Sequence, residues 1–131
     1  MTQNVATFGL GAMGYGIASS LLRAKHRAFG FDINPAQVAK FQAEGGEDDA
    51  LHDIAATLDV VVVVVLNAAQ TEDVLFGDAG VVTHLKPGAL VLSCATVPPE
   101  FARMMEQKCN AVGVHYLDAP ISGGAAKAAS G

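Results

Sequence analysis

Apolar residues follow two rhythms along this chain, short unbroken runs and segments in which they recur every third or fourth position. The runs at Asn4–Phe8, Arg27–Asp32, Val60–Leu66, Ala89–Ser93 and Val114–Ala119 predict strands, and Glu47–Ala50 predicts a sixth of marginal composition. Val60–Leu66 is the clearest element, because seven consecutive apolar residues, mostly β-branched, suit a central parallel strand covered on both faces. Helical spacing predicts a helix over Ala12–Ala24, with Ile17, Ala18, Leu21 and Leu22 on its apolar face. A second helix follows Asn34 as cap and Pro35 at its first turn, runs to Ala43 and stops at Gly45-Gly46. Brief helices are predicted at Asp53–Thr57, Thr71–Leu75 and Ala79–His84. Pro98-Pro99 opens a longer one reaching Asn110, with Phe101, Met104 and Met105 as its buried side. Strands separated in this way by helices make an α/β domain with a doubly wound parallel sheet built from two similar halves.

The turn out of the first strand adds chemistry to this frame. Gly9-Leu10-Gly11-Ala12-Met13-Gly14 follows a strand and opens a helix, and Asp32 closes the next strand 21 residues after Gly11. That context is what a GxGxxG pattern requires before it reads as a Rossmann-type dinucleotide site. Gly9 permits the tight turn, Gly11 lets a pyrophosphate approach the backbone, and Gly14 lets the helix close onto the sheet. Helix amides then face the phosphates, and Asp32 accepts hydrogen bonds from a ribose diol. A carboxylate there favours NAD over NADP, since a 2′-phosphate would meet like charge, and the following residues are Ile33 and Asn34 rather than arginine.

Composition narrows the class. With 131 residues, half of them apolar and 16% charged, the chain has the size and make-up of one well-cored domain. A formal charge of −5, with Lys25, His26 and Arg27 as the only local basic cluster, argues against a nucleic-acid partner. Cys94 and Cys109 lack metal or redox spacing and read as buried small hydrophobes in a reducing compartment. The N-terminus has no basic, apolar leader pattern, and no apolar run approaches the roughly 20 residues needed to span a bilayer. A soluble, cytoplasmic protein without a membrane partner is expected.

Other candidates lie at the carboxyl ends of later strands, where open sheets bind ligands. Leu66 and Asn67 end the central strand, and Asn67 serves either a ribose or nicotinamide contact or the start of a helix. Thr96 ends the next strand and meets the nicotinamide ribose or substrate, or belongs to an ordinary turn. Ser122, Gly123 and Gly124 present a hydroxyl and amides to an anion such as a substrate carboxylate, or form a simple helix cap. His26, His52, His84 and His115 show no spacing for a metal or a general base, and Asp48, Asp49 and Asp53 read as solvated charge. The last residues look like a loop entering a helix that has barely begun. This predicts a dinucleotide-binding domain over residues 1–121, with 122–131 leading toward a further domain of a longer protein.

Gly9–Gly14 with Leu21-Leu22 and His26, and Asp118-Ala119-Pro120-Ile121-Ser122-Gly123-Gly124 followed by Ala128 and Gly131, resemble the two signatures of the 3-hydroxyisobutyrate dehydrogenase family of β-hydroxyacid dehydrogenases. The Lys127-Ala128-Ala129 wording is similar to members acting on sugar acids such as L-threonate. The resemblance implies an NAD-dependent dehydrogenase, homo-oligomeric at full length. Gly9, Leu10, Gly11, Ala12, Met13, Gly14 and Asp32 would hold the adenosine and pyrophosphate. Leu66, Asn67 and Thr96 would lie along the ribose and nicotinamide, and Ser122, Gly123 and Gly124 would bind a hydroxy-acid substrate. It also implies a catalytic lysine beyond Gly131 and an all-helical second domain absent from this chain. Two alternatives stay open: a non-catalytic dinucleotide-binding module, or an imine or keto-acid reductase on the same scaffold. Lys25 departs from the resemblance, standing where a glycine commonly ends the first helix, and Asn67 stands where proline is frequent.

Overall fold

The computed structural model describes residues 2–119. Five parallel strands form one sheet: β1 (Asn4–Phe8), β2 (Arg27–Phe31), β3 (Val60–Val63), β4 (Leu90–Ser93) and β5 (His115–Asp118). Their order is β2-β1-β3-β4-β5, so the chain winds outward from β1 in one direction and, from β3, in the other. Helices α1 (Ala12–Arg23), α2 (Pro35–Ala43), α3 (Leu51–Ile54), α4 (Ala68–Phe76) and α5 (Pro99–Asn110) make the connections. Pairing brings Val5–Phe8 opposite Val60–Val63 at the centre, where the winding direction reverses.

Alternation along the strands divides the core. Ala6, Phe8, Val61, Val63 and Val91 pack with residues of α3, α4 and α5, among them Leu75, Met105 and Cys109. On the other face Ala28 joins Leu10, Ala18 of α1 and Phe41 of α2. Helices on both faces therefore cover a sheet too apolar to leave one face in water. Tyr15 links α1 to α2, since its ring meets Phe41 edge-on and its hydroxyl donates to Glu44. Burial first, then the Glu44 carboxylate, push the Tyr15 hydroxyl up to about 12, so it stays a donor. At the far edge, Asp59 accepts from the Asn4 amide at 2.8 Å and the Lys86 ammonium at 2.6 Å. These two donors hold its carboxyl below the ordinary range.

Several predicted elements take a different form. Glu47–Ala50 is no strand; it contributes a single parallel bridge, Phe29 to Glu47. Glu47, Asp48 and Asp49 put like charges side by side in a stretch of poor strand formers, which explains the early departure. The expected six strands are thus five among the described residues. The central strand ends at Val63 rather than Leu66, because β1 turns away at Gly9 and leaves Val65 and Leu66 without a neighbour on that side. Asp53–Thr57 appears as α3 followed by a 3-10 turn at Ala55–Thr57, and Ala79–His84 as a 3-10 turn at Val82–His84. On α5, Met104 is 43% exposed, whereas Phe101, Met105 and Cys109 pack inward on one i, i+4 row.

The end of α1 shows why glycine is common there. Lys25 has φ +70, the left-handed conformation that costs a residue with a Cβ about 1–2 kcal/mol. It is held by two closing bonds, Lys25 N–H to Leu22 C=O at 3.0 Å and His26 N–H to Leu21 C=O at 3.1 Å. Lys25→Gly removes that strain at the expense of a freer unfolded chain. The variant is expected to gain about 0.5–1 kcal/mol in urea denaturation, and an unchanged or lower midpoint would contradict the strain argument.

Candidate functional site

The reversal between β1 and β3 opens a cleft at the carboxyl ends of the strands. Its floor is the stacked pair Phe8 and Phe31, whose ring centres lie 5.0 Å apart. One wall is the glycine turn and the start of α1. A cavity of about 1110 Å³ lies here, large enough for an extended dinucleotide.

Backbone packing explains two of the three signature glycines without any ligand. Gly9 has φ +100, and a Cβ on it would lie 2.0 Å from the Val64 carbonyl oxygen. A Cβ on Gly14 would lie 1.8 Å from the Gly9 carbonyl oxygen. Turn, helix and central strand are therefore in direct backbone contact. Gly11 differs. Its φ of −68 is ordinary, and a Cβ there would meet nothing within 4 Å. The protein itself places no demand on Gly11; the space over it belongs to the cleft.

Gly11 is the N-cap of α1, with no side-chain cap and no acidic residue in the first turn. The first amides of a helix have no partner within it, and the helix dipole adds positive potential, so this end suits a phosphate. Across the cleft rim, Asp32 accepts from the Leu10 amide at 2.6 Å and the Asn34 amide at 2.8 Å. Those bonds fix the carboxylate in place and leave acceptor capacity for a diol. Asn34 itself caps α2 by accepting from Ala36 N–H, so the cap and the carboxylate are separate devices.

Gly9, Gly11, Ala12, Met13, Gly14, Asp32, Leu66 and Thr96 all line the cleft. Leu10 and Asn67 do not. The Leu10 side chain is fully buried against the α1–α2 core. Asn67 caps α4, its Oδ1 accepting from Gln70 N–H at 2.9 Å, while Gln70 Oε1 accepts from Leu66 N–H at 2.8 Å. Ser122, Gly123 and Gly124, with the expected boundary after residue 121, lie outside the described residues. Pattern reading passed over Ile33 and Gln70 in the lining. Ile33 is wholly exposed beside Asp32, an apolar side chain at the rim of the cleft that only the fold reveals.

The cleft's ionisable side chains among the described residues are Asp32, Asp73 and Cys94. Burial, then the nearby Asp118 carboxylate, push the Cys94 thiol up, which keeps it neutral and poorly nucleophilic. Cys109 is fully buried on the inner side of α5 and pushed up to about 11 by burial.

Residues 4–131 match the family described as the NAD binding domain of 6-phosphogluconate dehydrogenase. The chain belongs to this NAD-binding family. Within it, the chain is 46% identical over 132 residues to L-threonate dehydrogenase of Cupriavidus necator, covering 100% of this chain and 44% of that protein. It is 43% identical over 130 residues to L-threonate dehydrogenase of Haemophilus influenzae, covering 98% of this chain and 43% of the relative. The solved structure of 3-hydroxyisobutyrate dehydrogenase from Salmonella typhimurium superposes with a TM-score of 0.89 at 41% identity, covering 96% of this chain and 44% of that one. The chain thus spans under half the length of these relatives. It is a Rossmann-type NAD-binding domain of the β-hydroxyacid dehydrogenase group. No helix among its described residues is long and apolar enough to cross a membrane.

Within an NAD-binding domain the glycines separate by experiment. Gly11→Val is expected to leave the circular dichroism spectrum and melting temperature nearly unchanged while NADH binding is lost. Gly14→Ala, which drives a Cβ into backbone, is expected to destabilise the fold by about 3 kcal/mol or more. Undiminished binding by the folded Gly11 variant would contradict this division of roles.

Proposed function

We propose that this chain is the cofactor-binding part of an NAD-dependent oxidoreductase that moves a hydride between the nicotinamide and a short 3-hydroxy acid or sugar acid. L-threonate and 3-hydroxyisobutyrate are the substrates named for its relatives. In this reading the amides of Gly11, Ala12 and Met13 bind the pyrophosphate, with Gly9 and Gly14 shaping the turn and Leu10 anchoring it. Asp32 accepts the hydroxyls of the adenosine ribose. Leu66 and Thr96, across the cleft, border the nicotinamide half, and Asn67 acts there through the backbone that it caps. Bound nicotinamide supplies the hydride chemistry; the chain's own residues bind, orient and exclude water from one side of it.

Substrate capture is assigned to Ser122, Gly123 and Gly124. The general base is assigned to a lysine beyond Gly131; among the described residues the cleft's ionisable side chains are two carboxylates and a neutral thiol. The chain alone then binds cofactor without turnover, and the longer protein is a soluble, cytoplasmic homo-oligomer.

One observation carries the cofactor assignment: the Asp32 carboxylate, pinned by two amides at the rim of the cleft. A ribose diol satisfies it, whereas a 2′-phosphate brings repulsion and desolvation. Calorimetric titration is expected to give tighter binding of NADH than of NADPH. Asp32→Ala is expected to weaken NADH by about tenfold or more and to narrow the gap between the two. Equal or tighter binding of NADPH by the unaltered chain would contradict the assignment.

A further inference from the structure

Gln37 lies on α2, outside the cleft, yet it reaches the glycine turn. Its side-chain amide donates to the Leu10 carbonyl at 2.5 Å. Leu10 is consequently held on three sides. Its N–H goes to Asp32, its side chain is buried between α1 and α2, and its C=O goes to Gln37.

The third hold has a consequence for the residue that follows. In a trans peptide the C=O of one residue and the N–H of the next point in opposite directions. Drawing the Leu10 carbonyl toward α2 therefore turns the Gly11 N–H away from α2, toward the cleft that Gly11 lines. Without that hold the Leu10–Gly11 peptide is free to reorient, because a glycine on one side lowers the barrier. A reversed peptide would present a carbonyl oxygen to the pyrophosphate in place of a donor. Helix α2 is itself a firm base for this contact, fastened to α1 through Phe41, Tyr15 and Glu44.

We infer that Gln37 is a positioning residue that locks the Leu10–Gly11 peptide in its phosphate-binding orientation from behind the glycine turn. The inference rests on the NAD reading given above. It adds a residue that no glycine pattern contains, acting on the cofactor only through another residue's backbone. Its action is confined to the phosphate: the Leu10 N–H that fixes Asp32 belongs to the preceding peptide, which does not turn with the Leu10 carbonyl.

Two substitutions test this. Gln37→Leu keeps the bulk and removes the donor, and Gln37→Glu sets an acceptor against the carbonyl. Both are followed by calorimetric titration with NADH and ADP-ribose, and by NMR titration with adenosine, which lacks the pyrophosphate. NADH and ADP-ribose are expected to weaken about five- to tenfold in Gln37→Leu, and further in Gln37→Glu, with adenosine binding changed less than about twofold. A merely structural Gln37 would weaken all three ligands together, and that outcome overturns the inference. Unchanged NADH binding in either folded variant overturns it too, while leaving the NAD reading intact. An unaltered chain that binds neither NADH nor ADP-ribose overturns the NAD reading, and this inference with it.

Discussion

Three backbones meet at one point, where the carbonyl of Gly9 lies against Gly14 and the carbonyl of Val64 lies against Gly9. Distances of 1.8 and 2.0 Å from those oxygens to a would-be Cβ leave no room for any side chain at either glycine. The contact decides how close α1 can lie to the sheet, and so where its amides emerge. The cleft lies directly beside it, at the reversal of winding between β1 and β3. Fold and binding site thus share one steric constraint.

Around that point the turn is fixed by polar contacts that use little of the surface a ligand needs. Asp32 serves twice, bracing the turn through Leu10 while keeping acceptor capacity toward the cleft. On the opposite rim, Asn67 and Gln70 bind each other's neighbourhood in a reciprocal cap, setting the start of α4 and the course of Leu66. Preorganisation of this kind spares a ligand the entropy of ordering the loops itself.

Elements with strong periodicity were legible in the sequence. The glycine turn, β1, β2, α1, α2 and α5 lie within a residue or so of where pattern places them, since local propensity and tertiary packing agree there. Prediction failed where packing geometry decides. Val64–Leu66 are as apolar as β3, but apolar pattern does not give the register that ends the pairing with β1 at Phe8 and Val63. Glu47–Ala50 sits where a strand belongs in the winding, yet its charges permit one bridge only. Met104 and Met105 are indistinguishable by composition, and only the rotation of α5 buries one of them. At Gly11 the pattern's reason can only be ligand space and not backbone conformation, because its φ is one any residue adopts and a Cβ there would meet nothing within 4 Å. Gln37 was invisible: a single polar residue on an exposed helix carries no signal until the turn folds against it.

Amide chemical-shift mapping during NADH titration tests the central claim most directly, since it reads every backbone N–H at once. The account predicts the largest shifts at residues 9–14, with further shifts at Asp32, Ile33, Leu66 and Thr96. It predicts none at Asp59 or along the amino ends of the strands. Saturable shifts that spare the glycine turn, or that gather at the amino edge of the sheet, would contradict it.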